Sequence, residues 1–240
     1  MRKIAVIGGG PAGMMAAYAA AQAGNTVEVT LYETNRALGR KLALAGGTRC
    51  NITHTGSVPE LAAHYHEAEK FLYSALYQLD NWGLCRFFTN YLGLDTQVEA
   101  DGRIFPQAQS GEKVAERFHQ LLQSQGVIIQ TGHPIGSIRW AAPVFQVNDA
   151  SFDAVILCTG GISYPRTGSA GFGLSIARSF GHQITPLLPG LAKIFIAEDW
   201  PKQLSGVSLT DVELTSLAVS RGELLFTHFG LSGPAALNLS

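Results

Sequence analysis

The chain has 240 residues, 46% hydrophobic and 15% charged, with a formal net charge of −1, so it can bury a sizeable core as one domain or two. A near-neutral balance excludes a global basic field for nucleic acid, although it leaves room for a local basic groove. Cys50, Cys85 and Cys158 are unclustered and odd in number, which argues against a disulfide framework and for a reducing compartment.

In chain order, the apolar run Ile4-Ala5-Val6-Ile7 predicts a buried strand, residues 14–23 an alanine-rich helix, and residues 26–32 a second strand ending at Glu33. Between the first strand and the helix lies Gly8-Gly9-Gly10-Pro11-Ala12-Gly13. Gly8 permits a tight turn, Gly10 removes a Cβ where a pyrophosphate would approach, and Gly13 lets helix and strand pack closely. The helix that follows aims its unpaired N–H groups and positive dipole end at the phosphates. Glu33 follows Gly13 by 20 residues, where a carboxylate can accept hydrogen bonds from both ribose hydroxyls. Strand, glycine turn, helix, strand and acid come in the order of a dinucleotide site. The alternative is a glycine turn that serves only helix–sheet packing.

The segment after Glu33 contains Arg36, Arg40 and Lys41 around Gly39, three cations suited to charge-assisted hydrogen bonds with a pyrophosphate. Away from a phosphate loop it would read as a solvated basic turn. Gly46-Gly47-Thr48-Arg49-Cys50-Asn51 follows, its paired glycines expected to bring backbone close to a ligand. Cys50 has no nearby cysteine for a redox dithiol and reads as a small packing residue, with Asn51 and Thr53 as better polar contacts. His54 reads equally well as a surface loop residue.

Residues 58–92 show helical spacing of apolar and aromatic side chains, for which core packing is the commoner explanation. His64 and His66 fall in no metal-ligand pattern, and no metal is expected. A hairpin is predicted over 98–105 with its turn at Asp101-Gly102, then a helix over 112–124 and a buried strand over 127–130 that extends the parallel sheet. Residues 135–140 and 144–147 predict a short antiparallel excursion. The strand at 152–157 opens into Cys158-Thr159-Gly160-Gly161, small residues that would meet a cofactor backbone to backbone. A glycine-rich loop and a helix over 174–180 follow, without a second dinucleotide site. A boundary is expected at 186–189. Beyond it, apolar runs at 192–197, 207–214 and 224–226, with turns at Trp200-Pro201, Gly206 and Arg221-Gly222, predict a β-rich domain and then the start of a helix. The first residues read as a mature cytoplasmic N-terminus rather than a signal peptide, and no apolar run approaches the ~20 residues of a membrane span.

The Gly8–Gly13 loop with Glu33, Gly39-Arg40-Lys41, Gly46-Gly47-Thr48-Arg49-Cys50-Asn51, Thr159-Gly160-Gly161 with Ser163-Tyr164-Pro165, and the stretch from Gly222-Glu223 to Gly233-Pro234 resemble the BaiN/YhiN-like family of FAD-dependent oxidoreductases. That family shares the glutathione reductase type of FAD fold. Thr48 departs from it, standing where glycine is expected. The resemblance implies an α/β protein. It has a Rossmann-like FAD-binding domain with a parallel sheet over 1–187, carrying a helical insertion at about 56–92. The beginning of a β-rich substrate domain follows at 188–240, incomplete against a family chain of about four hundred residues. It implies FAD as cofactor, held by Gly8, Gly10, Pro11, Ala12, Gly13, Glu33, Arg40, Lys41, Gly47, Cys50, Asn51, Thr159, Gly160 and Gly161, with NAD(P)H as transient donor. It also implies reduction of an activated C=C bond, in an enone or a uracil ring of ribosomal RNA. The expected acceptor is therefore a small molecule or nucleobase, with RNA as an open partner and no membrane.

Two other readings stay beside this one. An NAD-dependent dehydrogenase could use the first glycine loop, although the Arg-x-x-Gly-Arg pattern after Glu33 and the Thr159-Gly160-Gly161 turn speak against it. A non-catalytic nucleotide-binding or RNA-associated module could hold the cofactor as structure. Tyr164, Asn51 and His228 are the candidate proton donors. Each has a plainer use, as a turn residue before Pro165, an Asx-turn and a polar loop residue. Hydride chemistry would belong to the flavin, so no protein nucleophile is required.

Overall fold

The computed structural model describes residues 1–216 and 218–240. Strand β1 (Arg2–Ile7) runs through the glycine turn into helix α1 (Pro11–Ala21), and β2 (Val27–Glu33) follows. Pro11 sits in the first helical turn, where a missing N–H costs nothing. Next come β3 (Thr53–His54), then α2 (Val58–Ala63), α3 (Glu69–Gln78) and α4 (Asn81–Leu92). Ser57 and Glu60 start α2 with a reciprocal capping box. The hairpin β4 (Thr96–Val98) and β5 (Arg103–Pro106) leads to α5 (Gly111–Ser124) and β6 (Ile128–Thr131). Strands β7 (Ile138–Ala141), β8 (Val144–Val147) and β9 (Ala150–Phe152) form an antiparallel meander before β10 (Ala154–Leu157) and α6 (Phe172–Ser179).

The central sheet is parallel, in the order β10-β1-β2-β6. Its register aligns Ile7 with Tyr32 on one side and Leu157 on the other, so the carboxyl ends of three strands open at one edge. One face is covered by α1, α4 and α5, whose Met14, Phe87, Phe118 and Leu122 join Val6 and Leu31 in the larger core. The other face packs Ala5, Ile7 and Tyr32 against Ile138, Val147 and Phe152 of the meander.

Two expectations are corrected here. β6 is an edge strand with Ile128 exposed, not a buried one, because the sheet ends there. The helical insertion divides into separate helices, and α3 buries none of its residues. Its Phe71 is 84% exposed, whereas Phe87 and Phe88 of α4 are core. Similar spacing thus marks a core face in α4 and an uncovered one in α3.

The chain divides into compact units at Met1–Ile184 and Thr185–Ser240. The second contains β11 (Ile194–Phe195), α7 (Trp200–Gln203), β12 (Ser208–Thr215), β13 (Val219–Thr227), β14 (Gly230–Ser232) and α8 (Pro234–Leu239). Its antiparallel sheet has the order β11-β14-β13-β12, with Leu224, Phe226 and Ala236 at its centre. Trp200-Pro201 begins a short helix rather than a turn, since proline fits a first helical turn. Arg221-Gly222 lies inside β13. Gly222, at φ +149°, pairs with Val212 beside a bulge in β12, so the glycine serves the register shift instead of a reversal. Among the described residues, no helix is long and apolar enough to cross a membrane, and no group of three or more metal-ligating side chains converges.

Candidate functional site

The open edge of the parallel sheet forms a cavity of about 720 Å³. Its wall includes Gly8, Gly10, Pro11, Ala12, Glu33, Arg40, Lys41, Thr159 and Gly160, nine of the residues singled out in the sequence. The turn that begins it is forced by close packing. A Cβ on Gly13 would lie 1.7 Å from the Gly8 carbonyl oxygen, so only glycine lets α1 start against β1. Gly8 itself has φ +108°, and a Cβ there would lie 2.4 Å from the Cys158 carbonyl oxygen.

Gly10 is different. Its backbone is extended, and a Cβ would meet nothing within 4 Å. Nothing in the folded chain demands glycine at this position, yet it lines the cavity at the N-terminus of α1. No side chain caps that terminus, so its first N–H groups remain free for an anion. Space without a Cβ, free N–H groups and nearby cations are what a pyrophosphate needs. The donor set therefore fits the diphosphate of a dinucleotide.

Glu33 stands at the end of β2 with its carboxylate already held. Gly9 N–H donates to Oε2 at 2.7 Å, and Asn35 donates to Oε1 from its backbone N–H at 2.7 Å and from Nδ2 at 2.6 Å. Arg40 Nη1 donates to Asn35 Oδ1 at 2.8 Å. Lys41 Nζ, on the wall, lies 5.8 Å from the centre of the Tyr164 ring, a cation–π approach. Thr159 Oγ1 accepts from the Gly173 N–H at 3.1 Å, which ties the end of β10 to the start of α6. Asn35, His133, Thr167, Ser169 and Phe172 also line the wall and were not marked in the sequence, because they join it from separate parts of the chain.

Other candidates, Gly47, Cys50, Asn51 and Gly161, are not among the residues of the cavity wall. Cys50 is 1% exposed within the main core, and burial pushes its thiol up to about 11. Arg49, a further cation beside the paired glycines, stacks 4.1 Å from the Phe105 ring centre and pairs with Glu99 at 2.5 Å, so a carboxylate already answers its charge. Tyr164 is 62% exposed, and His228, in the second unit, packs edge-on against Phe229. Burial also raises the thiol of Cys158 on the cavity wall, which favours its neutral form.

A parallel β-α-β core whose glycine turn and acid meet at the carboxyl edge defines a Rossmann-type domain. The chain belongs to the family described as "HI0933-like protein Rossmann domain", whose model matches residues 2–228, in agreement with the BaiN/YhiN-like resemblance. It is 30% identical to the 3-dehydro-bile acid delta(4,6)-reductase of Clostridium scindens, over 100% of this chain and 60% of that protein. It is also 30% identical to the ribosomal RNA dihydrouridine synthase of Haemophilus influenzae, over 98% of this chain and 60% of that protein. The chain thus spans about three fifths of the length of these curated relatives. Among solved structures, the 3-ketosteroid delta1-dehydrogenase of Sterolibacterium denitrificans matches with TM-score 0.56 and 13% identity, over 76% of this chain and 56% of that one. A flavocytochrome c3 fumarate reductase matches with TM-score 0.51 and 16% identity, over 87% and 47%. At those identities the likeness is one of fold.

Proposed function

We propose that this chain is the nucleotide-binding part of an FAD-dependent oxidoreductase that passes a hydride from NAD(P)H to an activated C=C bond. The observation that carries the reading is the cavity at Gly10, kept empty of side chain beside free helix N–H groups. Two relatives named for reduction or dihydrouridine synthesis, acting on a bile acid and on ribosomal RNA, support the choice of acceptor class. An enone and a uracil ring share a C=C bond polarised by a carbonyl, which makes one carbon accept hydride and the other a proton.

A bound flavin would supply the two-electron chemistry. The chain's own residues bind and orient it. The N-terminus of α1 faces the diphosphate, Arg40 and Lys41 neutralise it, and Glu33 reads the adenosine ribose. The Thr159-Gly160 turn brings backbone to the cofactor, as Gly160 adopts φ +71° there. Tyr164, near Lys41, stays a candidate proton donor, with Asn51 and His228 as further candidates.

The test is an anaerobic absorption titration of the protein with FAD, followed by NADH or NADPH. A bound, shifted flavin spectrum that bleaches with one nicotinamide is the expected result. Bound flavin that neither donor bleaches would move the reading to a structural cofactor, and no binding by this chain or a longer one would remove the flavoprotein reading.

A further inference from the structure

Resting on the dinucleotide reading, we infer that Asn35 completes the ribose subsite: it positions the Glu33 carboxylate and takes one hydroxyl of the ribose diol on its own Oδ1. A carboxylate offers about four lone-pair positions. Three on Glu33 are occupied, by Gly9 N–H, Asn35 N–H and Asn35 Nδ2. One position is left for one hydroxyl, although a ribose presents two. The amide oxygen of Asn35 has two lone pairs, of which Arg40 Nη1 uses one. One lone pair on each residue therefore matches the two O–H donors of a vicinal diol, and both residues line the cavity.

The orientation of the amide follows from its surroundings. Nδ2 sits between two acceptors, Glu33 Oε1 at 2.6 Å and the Thr167 carbonyl oxygen at 3.1 Å. Oδ1 faces a guanidinium. Reversing the amide would set oxygen against oxygen and NH2 against Arg40. The backbone holds the residue as firmly, since Gly132 N–H donates to the Asn35 carbonyl oxygen at 2.7 Å and His133 N–H to that of Glu33 at 3.0 Å. Gly168 has no side chain where a Cβ would lie 2.8 Å from Asn35 Nδ2. Asn35 thus joins the end of β2, the Arg40 segment and the 165–168 turn around one ligand group.

The test compares ADP with 2′,3′-dideoxy-ADP as probes, in the intact protein and in Asn35→Ala. ADP affinity is expected to fall about tenfold in the variant, the upper size of one net hydrogen bond between neutral groups, while dideoxy-ADP affinity stays unchanged. Equal losses for both probes would overturn the proposal, since Asn35 would then merely hold the loop. Should the variant fail to fold, the Asn35 side-chain amide resonances of the intact protein decide. They are expected to shift on saturation with ADP and to stay in place with dideoxy-ADP, and the absence of an ADP-specific shift overturns the proposal. Failure of the intact protein to bind either FAD or ADP would remove the dinucleotide reading, and Asn35's role with it. Intact binding with no difference between the probes removes the Asn35 role alone.

Discussion

Thr48 and Cys50 both adopt left-handed backbone, at φ +73° and +67°. For a β-branched residue this region is a true outlier, and the exposed Thr48 side chain gains no burial in return. Thr48→Gly is expected to stabilise the protein by about 1 kcal/mol, seen as a higher urea midpoint at unchanged slope. An unchanged or lower midpoint would show that the threonine makes good its own strain. Cys50 carries a pH dependence. Its thiol ionises at about 11 when buried, against 9.0 for the unperturbed group. Between these values the unfolded chain loses a proton that the folded chain keeps, so stability falls as pH rises through the window, by roughly 2 kcal/mol at its upper end. Cys50→Ala removes that share of the alkaline loss, which a comparison of urea midpoints at pH 8.5 and 10.5 would detect.

At the scale of elements, the β1–α1 turn separates glycines that serve folding from one that serves a ligand. Gly13→Ala drives a Cβ into the Gly8 carbonyl, with a cost of about 3 kcal/mol or more and loss of the α1 contact. Gly10→Ala meets open space, so its melting temperature should match the parent's while FAD or ADP affinity falls at least tenfold. A Gly10→Ala protein that binds as before would remove the pyrophosphate assignment. This βαβ element was the most legible part of the sequence, because its strands, helix and glycines answer to local rules within 33 residues. The acid was legible as well, but not that three N–H groups already hold it, since that depends on Gly9 and Asn35 meeting one carboxylate. The partners of Arg49 were not legible, because the β4–β5 hairpin supplies Glu99 and Phe105 from fifty residues on. Similarly, α3 and α4 carry similar apolar spacing, and only tertiary packing decides which face is covered.

For the whole molecule, every residue of the cavity wall lies between Ile7 and Ala177, inside the first compact unit. A fragment of residues 1–184 is therefore expected to bind ADP within about twofold of the full chain, measured by calorimetry, because no wall residue is removed. A loss of tenfold or more would assign the second unit a part in nucleotide affinity. Reduction of an acceptor is a separate matter, since the curated relatives extend well beyond the length of this chain.

The held carboxylate of Glu33 has a consequence in time as well as in energy. Three donors fix it before any nucleotide arrives, so the conformational entropy of ordering this group is lost during folding and not at the encounter. Association should then be a single event. Stopped-flow mixing with ADP would show one exponential whose observed rate rises linearly with concentration, at about 10⁵–10⁷ M⁻¹s⁻¹. A rate that levels off would mean the acid must first let go of its partners, and the residence time of the nucleotide would then be governed by how fast they return.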